Sequence, residues 1–109
     1  MLFRSVLTTE VVIGKPATPT PLGTFYVTDP VDLTTKPKGF YGAFALGLSG
    51  YSEVLKSFRG GPGQIAVHGT PNPDELGKAI SNGCVRVAND VIVQIASLVP
   101  LGTPVRISA

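Results

Sequence analysis

The stretch Ser81-Asn82-Gly83-Cys84-Val85-Arg86-Val87 holds the only cysteine of the chain. Ile65-Ala66-Val67-His68-Gly69-Thr70, upstream of it, holds the only histidine. Both stretches read as strands. From Gln64 to His68, Ile65 and Val67 point to one side, Ala66 and His68 to the other. Asn82-Gly83 makes a tight turn into a short strand, Cys84 to Val87, with Cys84 and Arg86 on one face and Val85 and Val87 on the other. His68 thus projects from the face with the smaller neighbour, where a cleft can form. A thiol is nucleophilic as thiolate, and an imidazole is the usual group that takes its proton. A single cysteine has no intrachain disulfide to explain it. A lone cysteine is often just a small buried hydrophobe, and a lone histidine a satisfied side chain. Against that bland reading stand Gly69 and Gly83, which let backbone approach a ligand, and Arg86, a fixed cation two residues from the sulfur.

Outward from these strands the chain is rich in turns. Leu2 to Ile13 reads as one or two short strands, and Lys15 to Gly23, with three prolines, as an extended loop. Thr24 to Val27 is a strand closed by Asp29-Pro30. Phe40 to Leu48 alternates Phe40, Gly42, Phe44, Leu46 and Leu48 against small residues, which fits a strand with one large apolar face and one lean face. Tyr51 to Phe58 reads as a short helix or an irregular lid, and Gly60-Gly61-Pro62-Gly63 as a turn. Pro71 to Asp74 is a turn, followed by at most one helical turn to Lys78. The one convincing helix runs from about Asp90 to Leu98, capped by Asn89 or Asp90, with Val91, Ile95 and Leu98 as its buried stripe and Ile92 and Val99 beside it. Val105 to Ile107 is a closing strand. The expected fold is mainly β: a twisted β-sandwich or open barrel of short strands with one packed α-helix.

Composition sets bounds. A length of 109 residues implies one domain, 1–109, and a hydrophobic share of 43% supplies a small core. A net charge of +2, with scattered Lys and Arg, argues no nucleic-acid partner. No run approaches the ~20 apolar residues of a membrane span, and Met1 to Leu7 has no signal-peptide pattern. One Cys and one His without ligand-spaced carboxylates imply no metal, and no cofactor motif is present.

Three blocks together resemble the catalytic domain of the L,D-transpeptidases, the YkuD-like bacterial cell-wall enzymes. Thr18-Pro19-Thr20-Pro21-Leu22-Gly23-Thr24-Phe25 is similar to the family's proline-rich turn before a strand. The His68 block resembles its histidine strand, and the Cys84 block its Ser-His-Gly-Cys-aliphatic-Arg signature. The resemblance runs from about Val12 to Ile107. Asn82 stands where the family often has a histidine, one that is not the general base. Family domains also carry a further strand or two before the segment matching Val11 to Gly14, so the chain is read as an excised core or a shortened member.

The resemblance implies a peptidoglycan tetrapeptide stem as donor, cleaved before its terminal D-alanine, with an amine of a neighbouring stem as acceptor. It also implies carbapenem-type β-lactams as inhibitors and an extracytoplasmic location, with the signal or anchor outside this chain. Cys84 is then the nucleophile and His68 the base, oriented by a backbone oxygen such as that of Gly69 or, alternatively, by Asp74. Backbone N–H groups around Gly83 are candidate oxyanion donors. Arg86 either clamps a substrate carboxylate or braces Asp90. Ser81, Asn82 and Tyr41 are candidate substrate contacts; Tyr51 and Phe58 are further groove candidates, weighed against a surface role for Tyr51 and core packing for Phe58. Two other readings stay open: a cysteine hydrolase on the same peptides, and a wall-binding module without activity.

Overall fold

The computed structural model describes residues 7–51 and 63–108. Among these described residues seven strands and one helix follow in the order β1 (Ile13–Gly14), β2 (Gly23–Asp32), β3 (Phe44–Tyr51), β4 (Gln64–Thr70), β5 (Ala79–Ser81), β6 (Val85–Ala88), α1 (Asn89–Leu98) and β7 (Pro104–Ile107). Five strands form one sheet in the order β6-β4-β3-β2-β7, and β1 and β5 form a small parallel pair. The fold is thus mainly β with one packed helix, as expected from the spacing of strands and turns.

Leu46, Leu48, Ile65 and Val87 of the large sheet close on Ile92 of α1, together with Val27 and Ala43. Burying aliphatic side chains of this size contributes roughly 1.5–3 kcal/mol each. The helix stripe is centred on Ile92, which is fully buried, whereas Leu98 is exposed. Expectation and structure differ here by a rotation of the helix: Val91 and Ile95 pack only partly against the core. Neither Asn89 nor Asp90 caps the helix. The N-cap is Ala88, without a side-chain cap bond.

Three further boundaries depart from the sequence reading. Strand β2 runs through Pro30 instead of stopping there. Its β7 neighbour covers only Gly23 to Tyr26, so Pro30 lies where one flank of the strand has no partner, a position that tolerates a missing N–H. Strand β3 begins at Phe44, not Phe40, because 33–42 coils into successive turns. Among the described residues before Gly14, strand character is limited to β1 and a single bridge from Val12 to Arg86, while residues 2–6 of the expected strands lie outside the described residues; β5 was not anticipated. The lid or helix expected from Tyr51 to Phe58 lies outside the described residues except for Tyr51, the exposed end of β3.

Candidate active site

Strands β4 and β6 lie side by side and parallel, with His68 opposite Arg86. On the other flank of β4, Ala45 of β3 lies opposite His68, and Gly47 opposite Ala66. Directly paired residues share a face, so His68, Arg86 and the lean residues of β3 stand together. Cys84, two residues before Arg86, falls on that side too. The small residues of β3 therefore border the site rather than fill the core.

The Cys84 turn is built by Ser81. Its hydroxyl donates to the Cys84 carbonyl at 2.6 Å and accepts from the Gly83 N–H at 3.1 Å. Ser81 is only 1% exposed. Expected on the substrate side, Ser81 is placed where it braces the turn, with its hydroxyl proton committed to the Cys84 carbonyl. Gly83 has φ +121°, a conformation L side chains rarely adopt, which is why glycine stands before the cysteine. Its N–H is committed to Ser81, so it does not point toward a substrate oxygen. Asn82 accepts a hydrogen bond from Lys15 Nζ at 3.0 Å.

His68 is fully buried. The cleft expected beside it is occupied by aromatic rings: Tyr41 meets it edge-on at 5.1 Å and Phe40 lies tilted at 5.8 Å. Its Nδ1 lies 2.8 Å from the Gly69 carbonyl. A carbonyl only accepts, so Nδ1 carries the proton and Nε2 holds the lone pair. Nε2 has no hydrogen-bond partner among the described residues. Of the two orienting groups considered, the carbonyl of Gly69 is the one in contact; Asp74 sits exposed in a 3₁₀ turn, Pro73–Glu75. The missing side chain of Gly69 makes room for α1, not for a ligand: a Cβ there would lie 2.9 Å from Ile92 Cγ2 and collide with Asn89 Oδ1.

Burial pushes the His68 pKa down to about 4; the Gly69 carbonyl opposes this, Arg86 adds to it, and the Tyr41 backbone opposes it weakly. Burial also pushes the Cys84 thiol up, against smaller opposing effects of the Ala66 backbone and Arg86. Near neutral pH the resting pair is therefore a neutral thiol and a neutral imidazole. An imidazolium stabilising a thiolate, the arrangement expected from sequence, is not the ground state, because both groups are desolvated.

Arg86 is a strut as well as a cation. Its Nη1 lies 3.3 Å from Glu75 Oε2, and its guanidinium carbon is 5.4 Å from the Phe40 ring centre. The partner weighed from sequence, Asp90, is not the one found. Arg86 Nε is buried and has no partner among the described residues. Among the described residues no group of His, Cys, Asp and Glu could hold a metal, and no helix is long and apolar enough to cross a membrane.

The model of the YkuD L,D-transpeptidase catalytic domain matches residues 3–107. The chain belongs to that family. The YkuD protein of Bacillus subtilis (strain 168), assigned by name to the L,D-transpeptidases, is 38% identical over 105 residues, 96% of this chain and 55% of that protein. The crystal structure of L,D-transpeptidase 3 from Mycobacterium tuberculosis superimposes with a TM-score of 0.70 at 19% identity, covering 93% of this chain and 44% of that one. An LD transpeptidase solved in complex with imipenem aligns with a TM-score of 0.62 at 20% identity, over 94% and 49% of the two chains. These two likenesses show the fold. The chain spans about half the length of the relatives it matches.

Glu75, Phe40 and Asn89 were missed as parts of the site by reasoning on sequence. Glu75 and Phe40 carry no local signal, since each reaches the site across a fold contact. Asn89 directly follows the Arg86 strand, but its position before a helix reads as a cap.

Proposed function

We propose that this domain catalyses acyl transfer on peptidoglycan stem peptides through a Cys84 thioester. The observation that carries the reading is His68: a buried imidazole with its Nδ1 proton fixed on a backbone oxygen and its Nε2 lone pair unused among the described residues. A buried polar atom without a partner is costly, and a base that waits for a proton is a physical reason for one. Family membership supplies the substrate class.

In the first step the Cys84 thiol passes its proton to His68 Nε2 as the sulfur attacks the carbonyl carbon before the terminal D-alanine. Because both groups rest neutral, the transfer accompanies attack instead of preceding it. Collapse of the tetrahedral intermediate breaks the C–N bond, and the imidazolium returns the proton to the departing D-alanine amine. An amine of a neighbouring stem then attacks the thioester, His68 takes its proton, and the sulfur leaves as thiol. The backbone N–H groups of Asn82 and Cys84 are the candidate oxyanion donors, a well-aimed one contributing about 2.7–4 kcal/mol. Arg86 favours the thiolate by its charge. The substrate places this chemistry on the extracytoplasmic wall.

Incubation with a purified tetrapeptide, with and without an amine acceptor, tests the reading. D-Alanine release with an acyl adduct on wild type and none on Cys84→Ala is expected, and a cross-linked dimer once the acceptor is present. Tripeptide alone would make the domain a hydrolase. Imipenem should add one equivalent of mass to wild type only; equal adducts in Cys84→Ala would place the reaction elsewhere.

A further inference from the structure

Residues 33–43 connect β2 to β3 through three turns in a row. Lys36 N–H donates to the Leu33 carbonyl, Gly39 to Lys36 and Gly42 to Gly39, at 2.8, 3.1 and 3.0 Å. The last of these turns carries Phe40 and Tyr41, the rings that cover His68. The Leu33 N–H also donates to the Ala43 carbonyl at 3.0 Å and closes the segment at its base. Among the described hydrogen bonds, the side chain that ties it to the helix is Asn89. Asn89 Nδ2 donates to the Pro37 carbonyl at 2.9 Å, and Oδ1 accepts from the Ala43 N–H at 2.9 Å. One amide thus grips both ends of the segment that bears the two rings.

The joint is keyed by two glycines. A Cβ on Gly42, whose φ is +67°, would collide with Asn89 Oδ1 and with the Gly69 backbone, and a Cβ on Gly69 would collide with the same Oδ1. Gly69 is also the residue whose carbonyl holds His68 Nδ1. The Asn89 amide therefore sits between the covering segment and the backbone that orients the base. Asparagine suits this place because it donates and accepts at once.

We propose that Asn89 is a positioning residue for the acyl-transfer site: it clasps the Pro37–Ala43 segment so that Phe40 and Tyr41 stay closed over His68. The proposal rests on the reading of His68 as the base, and it concerns how that base is kept dry. The groups facing His68 are Ala45 from β3, Arg86 and the preceding Cys84 from the β6 side, and Phe40 and Tyr41 from the turns; Asn89 and Ile92 of α1 meet the opposite face of the sheet at Gly69, the next residue in the chain. Arg86 is the fixed charge among them. Releasing the clasp changes the solvation of His68 without changing that charge.

Because the chain has one histidine, its ring signal in a proton–carbon NMR titration is unambiguous. Wild type should titrate near 4. Asn89→Ala should move the midpoint up toward the ordinary imidazole value of 6.5, and the acid limb of the imipenem acylation profile should move with it. Gly42→Ala pries the same joint from the other side and should do the same. Ile95→Val, which loosens α1 without touching the clasp, should lower the melting temperature and leave the midpoint unmoved. A folded Asn89→Ala or Gly42→Ala with the wild-type midpoint overturns the clasp. If one of the two fails to fold, the other decides. Acylation is scored separately: a wild type that titrates low and responds to Asn89→Ala, but takes no acyl group on Cys84, keeps the clasp and removes the acyl-transfer reading.

Discussion

On one face of the large sheet, Leu46, Leu48, Ile65 and Val87 close on Ile92, and none is more than 3% exposed. On the other face, the same strands present Ala45, Gly47, Ala66, His68 and Arg86, with Cys84 at the strand entry. The first face is apolar and without polar atoms to satisfy. The second buries His68 Nε2 and Arg86 Nε without partners among the described residues. One strand spacing serves both, so the difference is of chemistry and not of backbone. A core face gains from every buried methyl group, whereas a reactive face keeps polar atoms dry at a cost in stability. On the proposed reading, that cost lets His68 rest neutral and unhydrated on the face that also carries Cys84.

The comparison breaks most sharply at His68. His68→Gln keeps a polar side chain at the site but removes the base. Acylation by imipenem should fall by about 10²–10⁴-fold, the usual scale of general-base catalysis. Raising the pH should recover part of the rate, since solvent then ionises the Cys84 thiol. An unchanged acylation rate would reduce His68 to a packing residue and make the two faces alike.

The second consequence is in stability. The His68 pKa is lowered from 6.5 to about 4 in the folded protein. Between these values the unfolded chain binds the proton and the folded one does not. The stability is therefore fully present above 6.5 and is lost as pH falls toward 4. At about 1.36 kcal/mol per unit the loss is on the order of 3 kcal/mol. The Cys84 thiol is shifted the other way, up from 9.0, so its contribution is present below that value and is lost as pH rises past it. Urea unfolding across pH should show both limbs. His68→Gln should flatten the acid limb and Cys84→Ala the alkaline one. A wild type whose stability does not change from pH 7 to 5 would show that His68 is more solvated than its burial says.

The two faces were not equally readable from sequence. Period two placed Ile65 and Val87 on the core side and Cys84 with Arg86 on the other, because a strand's alternation is local. The family signature named Cys84 and His68. What stayed hidden depends on contacts between segments distant in the chain. Phe40 reads as the start of a strand by its alternation with Gly42 and Phe44, yet successive turns carry it over His68. By sequence Ser81 reads as a substrate contact and Gly69 as the carbonyl that orients His68; Ser81 also braces a turn, and Gly69, whose carbonyl lies on His68 Nδ1, also admits a helix by its missing side chain. Asp90, the nearest acid to Arg86 in sequence, lost to Glu75 across the β5 turn, since pairing follows distance in space.

That last pair gives the smallest expected effect. The Arg86–Glu75 contact is partly exposed, at 16% and 30% for the two side chains. Such ion pairs contribute about 0–1 kcal/mol, so Glu75→Gln should lower the melting temperature by a few degrees at most, about 4–8 °C per kcal/mol for a domain near this size. Asp90→Asn should leave it unchanged. The chemical effect should be opposite in sign to the structural one. Removing the carboxylate leaves the Arg86 cation less neutralised beside the site. Its field lowers both the Cys84 and the His68 pKa, so Glu75→Gln should make the thiol react slightly faster with an alkylating probe and make His68 titrate slightly lower. A variant that is less stable and also less reactive would show that Glu75 acts by holding Arg86 in place. The guanidinium would then belong to the packing of this face, and Cys84 would depend on its position more than on its charge.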